Sequence, residues 1–184
     1  MTRLAWLAPV LACAGGCSDD GQTYMPLSLH SRWSYLVDDG VNKMPDHIRV
    51  TRRIPVGGAP GYELAGELGV SQFAWQNGRL ISSELSNTRF IPPLPILAPR
   101  ERRVHWRGWV LSGDKKEPAV ADVDFVKLKK DEGTGDSIDS TVSMKINQRH
   151  LNLMTRFRAD FGIVRQEQRT GGQRDLSLVA LTTS

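Results

Sequence analysis

The sequence predicts one mainly β domain, a single antiparallel and strongly curved sheet that forms an open barrel or a sandwich. Apolar residues recur at every second position through most of the chain from Leu27 onward, which is the period of a half-buried strand. Turn compositions rich in Gly, Asn and Asp separate these segments at short intervals. No helical segment separates successive strands, so parallel βαβ units are excluded and an antiparallel sheet remains.

The first half of the domain contains alternating strands joined by turns. Residues 32–37 and 47–54 alternate apolar and polar side chains, and turn residues 38–40 end the first of these segments. Asn77-Gly78 separates two further apolar runs. This dipeptide predicts a hairpin with a type I′ turn, because both central residues of that turn need a positive φ.

Residues 87–100 contain four prolines and interrupt this pattern. Because proline has no N–H to donate to a strand ladder, we expect an extended crossing between two halves of the sheet and not a central strand. A proline-rich recognition motif is the alternative, but Ile91, Leu94 and Ile96 favour packing against the domain.

The second half contains the clearest strand, residues 137–147, whose alternation places Val142 and Met144 on the apolar face. Residues 149–158 fit a strand or a helix, and residues 170–173 predict a final hairpin. The predicted core comprises Trp33, Tyr35, Phe73 or Trp75, Val142, Met144, Ile146 and Ile163.

The N-terminus has the pattern of an export segment. Arg3 precedes an apolar run over residues 4–14, which is far shorter than the ~20 residues of a membrane-spanning helix. Small residues then precede Cys17, and the chain becomes polar at once. This pattern resembles the lipobox of bacterial lipoproteins, and the resemblance implies that Cys17 is acylated. Cys13 is the alternative, because Val10-Leu11-Ala12-Cys13 matches the apolar position of the lipobox, three residues before the cysteine, better than Ala14 does before Cys17.

The resemblance divides the chain into a signal peptide (1–16), an acylated cysteine with a tether (17–26) and one antiparallel β domain (27–184). It implies a cell-envelope protein held on a membrane by its N-terminal acyl chains. Ser18 directly follows the predicted acylated cysteine. In this position it resembles lipoproteins that are sent to the periplasmic face of the outer membrane in organisms with two membranes. If Cys13 leaves with the signal, the domain contains no thiol and no disulfide.

Two segments resemble the opening and closing strands of uncharacterised bacterial envelope lipoproteins. These segments are residues 24–40, with a Trp33-x-Tyr35 strand, and residues 157–172, with a Gly162-Ile163-Val164 strand. The resemblance brings no known active site. It implies a binding or structural module of the envelope.

Composition and motifs favour no enzyme class. The chain has 24 Lys and Arg against 20 Asp and Glu, an excess too small and dispersed to indicate nucleic-acid binding. The four histidines stand far apart in sequence, and no phosphate loop or nucleophile elbow is present. We therefore expect no metal, no cofactor and no catalytic residues.

The most distinctive surface candidate lies in residues 100–109. On a strand that begins at Arg103, the side chains of Arg103, His105, Arg107 and Trp109 share one face. Cations beside an aromatic ring suit an anionic lipid headgroup or a polysaccharide phosphate. The alternative is a solvated face whose arginines pair with acidic residues such as Glu101.

These observations lead to two functional hypotheses. The first is a non-enzymatic envelope module that binds a protein or lipid partner. The second is a carrier of lipid or another hydrophobic ligand, held in a half-open β-barrel under a lid such as residues 87–100.

Overall fold

The computed structural model describes residues 21–128 and 135–181, and within them twelve strands form one closed antiparallel barrel. Each strand pairs with its neighbours along the chain, and the first strand pairs with the last to close the barrel. The strands are β1 (Arg32–Asp38), β2 (Lys43–Val56), β3 (Ala59–Gly66), β4 (Gly69–Gln76), β5 (Arg79–Leu85), β6 (Thr88–Leu97), β7 (Arg103–Ser112), β8 (Lys115–Leu128), β9 (Ser137–Ile146), β10 (Arg149–Arg158), β11 (Gly162–Thr170) and β12 (Gln173–Ala180). The predicted fold class is confirmed, and the curved sheet closes completely.

Alternation along each strand separates an apolar interior from a polar exterior. In β9, Ile138, Ser140, Val142 and Met144 are buried, whereas Ser143 between the last two is exposed. Trp33, Tyr35, Phe73, Val142 and Met144 belong to the core as predicted, and Trp75, Ile146 and Ile163 are half-buried against it.

The turns follow the predicted chemistry where the sequence signal is strong. Asn77 and Gly78 have φ values of 52° and 75° and join β4 to β5, as a type I′ hairpin requires. Gly171 and Gly172 have φ values of 60° and 90° and join β11 to β12. Residues 149–158, which fitted a strand or a helix, form strand β10.

The expectation that residues 87–100 form an extended crossing and not a central strand was wrong, because β6 occupies Thr88–Leu97 and pairs on both sides. The physical reason lies in the pairing pattern. On the β7 side, pairing covers only residues 88–91. Pro92, Pro93 and Pro95 follow that stretch, so no β7 partner requires their missing N–H groups.

Cross-strand ion pairs cover the outside of the barrel. Arg52 Nη2 lies 2.7 Å from Glu63 Oε2 between β2 and β3, and Arg156 Nε lies 2.7 Å from Asp139 Oδ1 between β10 and β9. These pairs join neighbouring strands through their outward side chains.

An ion pair within strand β11 predicts a pH dependence of stability. The hydrogen bond from Arg169 to Glu167 (2.6 Å), together with the charges of Arg169 and Arg165, lowers the pKa of the Glu167 carboxyl below its ordinary value. Stability from this group is present above the unfolded pKa of about 4.3 and is lost as the pH falls through the lower folded pKa.

Acidification from pH 7 to pH 3 lowers the free energy of unfolding of the wild type. We expect the same acidification to lower it by about 1 kcal/mol less in Glu167→Gln, as measured by urea denaturation at each pH. Asp114→Asn is the matched control, because Asp114 is exposed and makes no ion pair with the described residues. Parallel pH profiles for Glu167→Gln and wild type would contradict this assignment.

The chain before β1 closes one end of the barrel. A 3-10 helix spans Gln22–Tyr24, and Met25 after it is 1% exposed. Trp75 Nε1 donates to the Met25 carbonyl oxygen at 3.2 Å, and the Asp160 N–H donates to the Thr23 carbonyl oxygen at 2.7 Å. Residues 21–26, which the sequence assigned to the tether, thus pack against the barrel in part.

Residues 1–20, which include Cys13, Cys17 and the whole predicted signal peptide, lie outside the described residues. Within residues 21–128 and 135–181, no helix has the length and apolar character needed to cross a membrane.

Candidate functional site

The inside of the barrel contains a cavity of about 240 Å³. Strands β1 to β12 all face it, because the barrel is closed and every second side chain points inward. Its apolar wall includes Met25, Trp33, Leu94, Val142, Leu153 and Phe157. These residues are at most 8% exposed and belong to the packed interior of the barrel.

The cavity opens at one end of the barrel, which we call the mouth. The turns β1–β2, β3–β4, β5–β6, β7–β8, β9–β10 and β11–β12 form this end. Ser86, Ser112 and Arg149 belong to or adjoin these turns, line the cavity and are exposed, so the cavity reaches solvent there. Met25 and the 3-10 helix lie at the opposite end. The interior is therefore a cup with an apolar base and a polar rim.

An ion pair lies at the rim of the cup. Arg149 Nη2 contacts Glu117 Oε2, and Asn147 Nδ2 donates to Glu117 Oε1 at 2.8 Å. Among the described residues that line the cavity, Arg149 is the only one with an arginine or lysine side chain. Its charge is thus already matched by a carboxylate.

Two buried polar atoms in the cavity wall have no partner among the described residues, Asp46 Oδ2 and Ser140 Oγ. Asp46 is 0% exposed, and its Oδ1 accepts a hydrogen bond from the Glu67 N–H at 2.8 Å. Tyr35 lies directly opposite Asp46 in the β1–β2 ladder and donates to the Ile163 carbonyl oxygen at 3.1 Å. Burial, and secondarily the charge of Asp46, raises the pKa of the Tyr35 hydroxyl.

The sequence reasoning did not identify this interior site. A signal for Asp46 was present, because Asp46 has the same strand parity as Ile48 and Val50 and so belongs to the inward face of β2. A carboxylate on an inward face is unusual and marks a position worth attention. The cavity itself has no local sequence signal, because it depends on the number of strands in the closed barrel.

The predicted anionic-ligand surface has its four residues on one outer face of β7, as expected. Arg103 makes two hydrogen bonds to Asp124, at 2.5 and 3.1 Å, and His105 Nδ1 lies 3.0 Å from Asp122 Oδ1. Each of these two side chains therefore has an acidic partner on β8.

Arg107 and Trp109 have different surroundings from Arg103 and His105. Lys116 Nζ lies 4.8 Å from the centroid of the Trp109 ring. Val120 of β8 pairs with Arg107 on one side and with Lys145 of β9 on the other, so these three residues form one cross-strand row. Arg107 and Lys145 make no ion pair with the described residues. This half of the face keeps an unmatched positive charge, and anion binding there stays a prediction.

Comparisons with known proteins bear on the fold. No family model matches the chain, and no curated protein matches it. Among solved structures, the chain is similar to the crystal structure of a "putative lipoprotein" from Parabacteroides distasonis, with a TM-score of 0.50 and 12% sequence identity. The match covers 86% of this chain and 96% of the other. At this identity the similarity concerns the fold.

The described residues contain no group of three His, Cys, Asp or Glu side chains placed to hold a metal ion.

Proposed function

We propose that this chain is a non-enzymatic, lipid-anchored protein of the bacterial cell envelope that holds a small hydrophobic ligand inside its barrel. The observation that carries the proposal is the apolar cup of about 240 Å³ with its polar rim. An apolar cavity of about 150 Å³ already binds benzene. The cup is thus large enough for a short acyl chain or a small aromatic molecule.

The strand number supports a ligand-holding interior. A barrel of about eight strands is just wide enough for its own side chains to fill or for one small ligand, and barrels of 16 to 18 strands contain a water channel. Twelve strands lie between these limits. Inward side chains that would fill a narrower barrel leave free space here.

The envelope location rests on the lipobox resemblance at Cys17, and the fold neighbour named a "putative lipoprotein" is consistent with it. Gly21 lies at the closed end of the barrel and follows Cys17 by four residues, a chain length that spans at most about 14 Å. An anchor at Cys17 would therefore hold the closed end near the membrane. The mouth would face away from that membrane, toward an envelope protein or lipid that supplies the ligand.

A blocked cavity tests the proposal. Val142 is 2% exposed and faces the cup, so Val142→Phe places a ring in the cavity. Ser143→Phe is the matched control, because Ser143 is the exposed neighbour on the same strand. We expect delipidated wild type and Ser143→Phe to bind 1-octanol at one site by calorimetry, and Val142→Phe to bind it at least about tenfold more weakly.

Extraction of the purified wild-type protein into organic solvent, followed by mass spectrometry, gives a second readout. We expect one stoichiometric hydrophobic molecule in the extract besides the acyl chains on the cysteine. Equal 1-octanol binding by Val142→Phe and wild type would overturn the proposal, as would a wild type that neither binds 1-octanol nor releases a ligand.

A further inference from the structure

We infer that the cup selects amphiphiles whose head group is an amine, with Asp46 as the residue that binds it. This inference rests on the proposed function, since it requires that the cup hold a ligand. It adds the chemical class of that ligand.

The first step concerns the cost of burying Asp46. Its side chain is 0% exposed, and the chain supplies one hydrogen bond, from the Glu67 N–H to Oδ1. Oδ2 has no hydrogen-bond partner among the described residues. Buried carboxylates are almost always paired, because an unpaired one loses its hydration without compensation. Asp46 thus has an unused acceptor that is buried in the wall of the cup.

The second step concerns the source of a partner. Arg149 is the one Arg or Lys among the described lining residues, and it pairs with Glu117 at the rim. The described chain therefore offers no cation to Asp46. A ligand ammonium group would supply both a positive charge and N–H donors, and charge-assisted hydrogen bonds are about twice as strong as neutral ones.

The third step concerns position. Glu67 belongs to the β3–β4 turn, so the Asp46 carboxylate lies at the mouth end of the cup. The walls deeper in the cup are formed by apolar residues such as Trp33 and Phe157. A single-chain amphiphile fits this arrangement with its tail toward the base and its head at Asp46.

The fourth step concerns how the carboxylate is held. A Cβ atom at Gly66 would lie 2.8 Å from Asp46 Oδ1, so the absence of a side chain at Gly66 makes room for the carboxylate. The Glu67 N–H fixes Oδ1 and leaves Oδ2 for the ligand. A ligand carboxylate would meet a like charge at this point, which disfavours fatty acids.

Four probes of equal chain length test the inference on the delipidated wild-type protein: octylamine, 1-octanol, octanoate and n-octane. We expect octylamine to bind at least about tenfold more tightly than octanoate by calorimetry, with 1-octanol between them. Asp46→Asn keeps an oxygen for the Glu67 N–H and removes the charge. We expect it to weaken octylamine binding about tenfold and to change 1-octanol binding little.

Ser140→Ala is the matched control, because it removes the other unpartnered polar atom in the cavity wall. It should keep the preference for octylamine. Octanoate binding as tightly as octylamine, or an Asp46→Asn variant that keeps the preference for octylamine, would overturn the inference while 1-octanol binding still supports the cup. Failure of all four probes would instead overturn the proposed function.

Discussion

Trp33→Ala is expected to lower the free energy of unfolding by about 3–5 kcal/mol, a large part of the 5–15 kcal/mol of a typical domain. Trp33 is 7% exposed and packs on the core at the closed end of the barrel, where Met25 and Gly162 lie beside it. Its Nε1 donates to the Phe161 carbonyl oxygen at 2.6 Å. The substitution removes the ring and leaves that carbonyl without its partner. Urea denaturation followed by far-UV circular dichroism measures the loss.

Trp109→Ala is the matched control, because Trp109 is 43% exposed on the outer wall. We expect it to cost less than about 1 kcal/mol. Equal losses for the two tryptophans would contradict the assignment of inner and outer faces. This comparison tests the fold and is independent of any ligand.

Cys17→Ala is expected to move the protein from the membrane fraction to the soluble fraction. Each buried methylene of an acyl chain contributes about 0.8 kcal/mol, and two or more chains hold a protein firmly on a membrane. Loss of the acylated cysteine therefore removes the anchor completely. Fractionation of cells, with intact-mass spectrometry of the extracted protein, measures both location and acylation.

Cys13→Ala is the matched control for the anchor. We expect this variant to remain acylated and membrane-bound. Loss of acylation with Cys13→Ala alone would move the mature N-terminus to Cys13. A wild-type protein without acyl chains would refute the lipoprotein assignment altogether.

Residues whose environment depends on local alternation were predictable. The inward positions of β9 follow from a period of two, and the Asn77-Gly78 hairpin follows from the φ values that its turn requires. The proline-rich segment was not predictable in this way. Whether Pro92, Pro93 and Pro95 are tolerated in a strand depends on which edge lacks a partner, and that edge is fixed by β7, a later strand.

The candidate sites show the same division between local and non-local information. The common outward face of Arg103, His105, Arg107 and Trp109 follows from spacing within one strand, whereas their pairing with Asp122 and Asp124 depends on the register of β8 against β7. The alternation of residues along β2 already indicates that Asp46 points into the barrel. That its Oδ2 has no partner among residues 21–128 and 135–181 depends on how distant strands pack around it.

The sequence by itself determined an antiparallel β domain and the face of each strongly alternating strand, because both depend on neighbours within a few residues along the chain. Tertiary structure alone decided that β1 pairs with β12, since this contact joins residues 35–38 to residues 177–180. That closure fixes the barrel at twelve strands and its circumference. The circumference in turn sets the space that inward side chains leave unfilled, and so the cup that the proposed function requires.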